Sequence, residues 1–172
     1  EAVAAEFGVD TVIFLPDRFL GAHVASQTKI RLVLWDGSCE VHETFTAQQV
    51  RHTREQFHAR VVAHPECPPD VLAEADFVGS TTAMGAWLEK EKPERVALVT
   101  ECSMADNLKS RFPDIEFVKP CNLCPYMQRI TLPNIHACLL ERKHVVQVPE
   151  DIAAGARRAL ERMLAVGRRD RV

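Results

Sequence analysis

Short apolar runs rich in Val, Ile and Leu alternate along this chain with longer amphipathic stretches, and no other feature limits its fold so strongly. A brief β-branched run with few polar positions suits a strand buried on both faces. Such runs predict strands at Val9–Leu15, Ile30–Trp35, Arg60–Ala63, Ala75–Val78, Arg95–Thr100 and Ile115–Val118. Helix signals fall between them. Asp17 is placed to cap a helix running to about Gln27, and Thr46 to cap one over Ala47–Gln56. Asp70–Glu74 predicts a brief helical turn, and Gly79-Ser80-Thr81-Thr82 opens a helix reaching about Lys92. Met104–Phe112, Leu132–Arg142 and Asp151–Val166 predict three more. Alternating β and α elements give an α/β fold, with short parallel sheets layered between helices as αβα.

Charge and composition exclude several function classes. The chain has 172 residues, with 21 basic and 24 acidic side chains and a formal net charge of −3. That mild acidity gives no electrostatic reason to expect nucleic acid. No apolar stretch approaches the ~20 residues that a membrane span needs. The first residues lack the basic-then-apolar order of a secretory signal. A cytoplasmic location is therefore expected, and the six cysteines are expected to be reduced there rather than to form a disulfide framework.

In parallel α/β sheets, sites form beyond the carboxyl ends of the strands. The segments that follow the predicted strands are rich in reactive side chains. Cys121-x2-Cys124 has a spacing that lets two thiolates reach one soft metal centre, and it equally suits a buried or redox-active thiol pair. Cys39 is a more distant thiol, presented after Gly37-Ser38. His64 and Glu66 flank Pro65 on a stiff loop, where alternate residues point the same way and can supply a general acid and a general base. Ser80 and Thr81 precede a helix, where hydroxyls and free backbone N–H groups suit a phosphate or carboxylate as well as an ordinary cap. His42-Glu43 either shapes the cysteine loop or faces solvent. Cys67, Cys102 and Cys138 read as core or spectator thiols.

Taken in order, these segments resemble quinolinate synthase of bacterial NAD biosynthesis. The residues that carry the resemblance are Phe14-Leu15-Pro16-Asp17-Arg18-x-Leu20-Gly21, Trp35-Asp36-Gly37-x-Cys39-x-Val41-His42-Glu43, His64-Pro65-Glu66-Cys67-Pro68, Gly79-Ser80-Thr81, Thr100-Glu101 and Cys121-x2-Cys124-Pro125-x-Met127. The resemblance implies a pseudo-symmetric fold of three αβα domains. Residues 1–40 would then close the second domain, 41–125 form the third, and 126–172 form the C-terminal helices. It implies a [4Fe–4S] cluster held by one cysteine from each domain, with Cys39 and Cys124 as two of its ligands and Cys121 as a neighbour rather than a ligand. It implies condensation of iminoaspartate with dihydroxyacetone phosphate to quinolinate, with release of phosphate and water, and a functional link to L-aspartate oxidase. Glu66 and His64 would carry the acid–base steps, and His64, Glu66, Ser80 and Thr81 would hold substrate. Members of the family are much longer than this chain, and a third cluster cysteine is expected in the part they have beyond it. The isolated chain is therefore expected to be inactive. The competing expectation is a metal-binding or structural module without catalysis, and a dithiol redox protein built on Cys121 and Cys124 is a further one.

Overall fold

The computed structural model describes residues 1–118 and 120–169, so Lys119 and the end of the expected 126–172 segment lie outside the described residues. By its internal contacts the chain divides into two units, Ile13–Pro125 and a second formed by Glu1–Val12 with Tyr126–Val172.

The larger unit carries the sheet expected from the sequence. Strands β3 (Arg60–Ala63), β4 (Phe77–Val78), β5 (Arg95–Val99) and β6 (Glu116–Val118) are ordered β4-β3-β5-β6. All three pairings are parallel, with Val62 opposite Phe77 and Leu98, and Val96 opposite Phe117. Side chains alternate between two cores, as the strand pleat requires. Val61, Ala63, Ala97 and Val99 face one apolar layer with Phe45, Val50 and Val71. Val62, Val96 and Leu98 face the other, with Met84, Leu88 and Leu108. Helices α3 (Ala47–Phe57) and α4 (Pro69–Ala73) thus supply one covering layer, and α5 (Thr81–Glu91) and α6 (Cys102–Arg111) the other. This is an αβα sandwich.

Strands β1 (Thr11–Phe14) and β2 (Arg31–Leu34) form a separate two-stranded sheet, with α2 (Arg18–Ala25) between them in the chain. Asp17 caps α2 as expected, its Oδ1 accepting the Leu20 N–H at 2.7 Å. Thr46 and Gln49 form a reciprocal capping box that starts α3. One boundary moved for a clear reason. The α6 helix begins at Cys102 rather than Met104, because the Glu101 carboxylate caps it through the Ser103 N–H at 2.7 Å.

In the smaller unit, α1 (Ala2–Phe7), a helix the sequence reading did not include, meets α8 (Glu150–Arg169). The Arg162 guanidinium lies 4.6 Å from the centre of the Phe7 ring. Helix α7 (Leu132–Glu141) is capped by Thr131 and Asn134. Among the described residues, no helix is long and apolar enough to cross a membrane.

Candidate functional site

The carboxyl edge of the four-stranded sheet collects the expected loops in spatial order. Gly79-Ser80 follows β4, His64-Pro65-Glu66 follows β3, Thr100-Glu101 follows β5, and the Cys121–Cys124 loop comes after β6. Two backbone bonds fix the edge: the His64 N–H donates to Val99 O at 3.2 Å, and the Gly79 N–H to Ala63 O at 3.2 Å.

Cys39 reaches the site from the loop after β2. A Cβ on Gly37 would stand 2.5 Å from the Pro16 carbonyl oxygen and 2.9 Å from the Trp35 ring, so only glycine lets the two loops pass this closely. Asp17 then serves twice. Its Oδ2 accepts the Cys39 N–H at 2.9 Å while Oδ1 caps α2, and this buried carboxylate ties the cysteine to the start of a helix. Cys39 itself is a free, half-buried thiol.

His42 is the centre of the site, and the sequence reading gave it no chemical role. Its ring is buried and stacks on His64 with centroids 4.5 Å apart. Nε2 pairs with the Thr100 hydroxyl at 3.0 Å. Nδ1 lies 3.0 Å from Glu66 Oε2, a close contact outside hydrogen-bond geometry. The one signal for His42 in the sequence is its position three residues after Cys39, a spacing common between metal ligands.

His64 and Glu66 are brought together as their spacing suggested. The His64 Nδ1 lies 3.6 Å from Glu66 Oε2 and accepts the Glu66 backbone N–H at 3.4 Å. Acceptance at Nδ1 places the proton of the neutral ring on Nε2. Burial pushes the His64 pKa down, helped by the neighbouring His42 and opposed by Glu66 and Asp17. Contact with His42 holds the Glu66 carboxyl below its ordinary range against the effect of burial, with His64 and the Cys39 thiol adding to it. The pair at neutral pH is thus a neutral imidazole beside a carboxylate.

Ser80 and Thr81 stand at the start of α5, both exposed. The Ser80 hydroxyl is already engaged as the cap, accepting the Ala83 N–H at 3.3 Å. Cys124 is a free, half-buried thiol whose N–H donates to Glu101 Oε1 at 3.2 Å. Asn122 holds its loop against the Cys39 turn, donating to Thr44 Oγ1 at 2.8 Å and to Val41 O at 3.4 Å.

The cysteines correct one expectation. Cys102 and Cys121 form a disulfide, so neither is a reduced spectator, and Cys121 is no dithiol partner of Cys124. Nineteen residues of sequence hide this pair. The bridge between Glu101 and Asn122, with the Cys102 N–H donating to Asn122 O at 3.1 Å, brings the two Cα atoms to 4.9 Å. Cys67 is the core thiol expected. It is fully buried, donates to Val99 O, and burial pushes its pKa up to about 12. Cys138 is exposed, in the smaller unit.

The residues therefore fit an iron–sulfur cluster in part. Cys39 and Cys124 remain free, and the other thiols of the larger unit are paired or deeply buried. Among the described residues, Cys39, His42 and Glu66 bring a thiol, an imidazole and a carboxylate within 4.8 Å of one another.

The family model described as quinolinate synthetase A protein matches residues 1–165. Quinolinate synthase 2 of Mesorhizobium japonicum is 53% identical over 167 residues, which cover 96% of this chain and 52% of that protein. The quinolinate synthase of Agrobacterium fabrum is 52% identical over 165 residues, covering 95% and 48%. That of Xylella fastidiosa is 51% identical over 165 residues, covering 95% and 49%. The chain spans about half the length of these curated relatives.

Proposed function

This chain belongs to the quinolinate synthetase A family, and from that premise we propose that it supplies half of the active site that makes quinolinate for NAD biosynthesis. The reaction in this reading joins iminoaspartate to dihydroxyacetone phosphate, and an L-aspartate oxidase would provide the first substrate. The observation that carries the proposal is the neutral His64 ring beside the Glu66 carboxylate at a sheet edge that also presents free Cys39.

Cys39 and Cys124 would hold two corners of a [4Fe–4S] cluster, with the third thiolate in the part of the relatives that this chain does not span. When bound, the cluster supplies a Lewis-acidic iron that polarises a substrate oxygen. The chain's own residues do the rest. Glu66, held ionised beside His42, takes a proton from one substrate carbon and returns it to the neighbouring carbon in isomerisation, and in the dehydration takes a carbon-bound proton and passes it to the leaving hydroxyl. The Nε2–H of His64 donates to a substrate oxygen and orients it. The first turn of α5 holds a phosphate or carboxylate through free backbone N–H groups and the Thr81 hydroxyl. Ser80 contributes as the residue that fixes this turn, since its hydroxyl is the cap. On the same reading, residues 1–40 and 41–125 belong to the second and third of three layered domains, with 126–172 as terminal helices, and the protein works in the cytoplasm.

The test is a chimera in which this chain replaces the matching segment of Mesorhizobium japonicum quinolinate synthase 2, expressed in quinolinate-requiring cells. Growth without added quinolinate is expected, with loss of growth in the Glu66→Gln form. The 172-residue chain alone is expected to give no growth. A folded chimera that takes up iron and sulfide yet supports no growth overturns the proposal.

A further inference from the structure

Among the described residues, Asp17 and Glu101 are the buried carboxylates, and neither forms an ion pair. A buried charge is costly unless hydrogen bonds satisfy it. Backbone N–H groups satisfy both, and by the same plan. One oxygen caps a helix: Asp17 Oδ1 accepts the Leu20 N–H at 2.7 Å at the start of α2, and Glu101 Oε2 accepts the Ser103 N–H at 2.7 Å at the start of α6. The other oxygen takes the backbone of a free cysteine. Asp17 Oδ2 accepts the Cys39 N–H at 2.9 Å, and Glu101 Oε1 accepts the Cys124 N–H at 3.2 Å. The chain uses this construction twice. Capping carboxylate, helix, strand and cysteine follow in order from Asp17 through α2 and β2 to Cys39, and from Glu101 through α6 and β6 to Cys124, over 22 and 23 residues. We propose that Asp17 and Glu101 are positioning residues for two cluster thiolates, each fixing its cysteine to a helix start, and that their charge keeps the cluster in its oxidised, Lewis-acidic form. This rests on the quinolinate reading, since it needs Cys39 and Cys124 to be cluster ligands.

Capping alone needs no charge. Neutral hydroxyls cap helices as well, as Thr46 does for α3 and Ser80 for α5. A carboxylate adds a second acceptor oxygen and a negative charge, and in both places the second oxygen goes to the cysteine. The effect on the sulfur is twofold. A cysteine N–H committed to a carboxylate is not free to donate to sulfur, and hydrogen bonds to the sulfurs, with net charge and exposure, set the potential of a cluster. Donors to sulfur would stabilise an added electron, so their loss lowers that potential. A buried negative charge beside the ligand backbone opposes the electron directly. Asp17 and Glu101 therefore act in the same direction. The proposed chemistry gains from this, because an added electron would weaken the pull of the iron on a substrate oxygen.

The test has two arms. In the full 172-residue chain, 15N-cysteine labelling reads each cysteine N–H by NMR. Hydrogen exchange should speed up by at least about tenfold, the worth of one bond to a charged group, at Cys39 in Asp17→Ala and at Cys124 in Glu101→Ala. Each variant should leave the other cysteine as in the parent. In the chimera with Mesorhizobium japonicum quinolinate synthase 2, loaded anaerobically with iron and sulfide, a mediated redox titration reads the one-electron potential at full cluster content. Asp17→Asn and Glu101→Gln remove the charge at little cost in shape. Each should make reduction at least about tenfold easier, an upward shift of ~59 mV, and the double variant should shift by about the sum. Potentials that stay put or fall at full cluster content overturn the proposal. So do exchange rates unchanged in both alanine variants. Amide variants that lose iron while the remaining cluster keeps its potential show a structural role alone, and overturn it too. A parent chimera that loads no cluster overturns the quinolinate reading together with this proposal, whereas an unmoved potential in a loaded chimera overturns this proposal alone.

Discussion

The two sheets are built to different standards. In the four-stranded sheet, Val61, Val62, Ala63 and Val96–Val99 are buried against helices on both faces. In the two-stranded sheet, Ile13 is 71% exposed, and Trp35, directly after β2, is 61% exposed. Yet the candidate site takes residues from both. His64 and Glu66 stand on the packed sheet's edge, and Asp17 and Cys39 come from loops of the more exposed one. The imidazole and carboxylate groups are therefore held by a finished core, whereas the thiol arm is held by a few polar bonds.

The largest expected effect breaks or upholds that contrast directly. Leu98→Ala removes a buried side chain between α5 and α6 and should cost about 2–5 kcal/mol. Ile13→Ala removes an exposed one and should stay within about 0.5 kcal/mol. Urea unfolding followed by circular dichroism measures both. Equal losses would mean that the two-stranded sheet is covered in solution and the contrast is false.

Next in size is the disulfide. Cys102 and Cys121 are separated by 19 residues, and closing a loop of that length stabilises by roughly 3 kcal/mol in the chain-entropy account. The Cys102→Ser/Cys121→Ser double variant should melt lower by a corresponding amount. An unchanged melting temperature would mean that the backbone bonds around Asn122 and Glu101 already hold the Cys124 loop. Asp17 follows. Asp17→Ala loses the α2 cap and the bond to Cys39, at about 1–2 kcal/mol, while Asp17→Asn keeps one acceptor oxygen and should cost less. If the thiol arm depends on these bonds, metal affinity at Cys39 falls with stability in the Ala form. Affinity that holds while stability falls would show the arm to be fixed by something else.

The same division explains what was legible in the sequence. Caps and strands are local, so Asp17, Thr46 and the Arg60–Ala63 strand could be read from neighbours in the chain. The His64–Glu66 pair was legible because two residues across a proline meet by local geometry. The contacts of His42 were not. They join residues 58 and 24 positions apart, to Thr100 and Glu66, and exist only once β3 and β5 lie side by side. The disulfide was hidden for the same reason. A close Cys-x2-Cys drew attention to Cys121 with Cys124, while parallel strands brought Cys121 to Cys102. Glu101 follows the predicted strand Arg95–Thr100 in the sequence, and its role as a helix cap shows only once its side chain is placed.

The smallest effect sharpens the claim that the packed edge holds its groups ready. The His64 pKa is lowered by burial from its ordinary value of 6.5. The unfolded chain therefore takes up this proton before the folded one does. Stability from His64 is complete above pH 6.5 and is lost as pH falls from there through the depressed folded value. The Glu66 pKa is lowered from 4.5 by contact with His42, and it gives a second loss of the same sign at lower pH. Melting temperatures of the metal-free chain should thus fall in two stages on acidification. His64→Gln should remove the first stage. Glu66→Gln should remove the second and deepen the first, because the Glu66 carboxylate is what partly restores the proton affinity of His64. A first stage that survives in His64→Gln would assign it to another group. A first stage left unchanged by Glu66→Gln would mean that the two side chains do not share a field, and the packed edge would then be no better organised than the thiol arm.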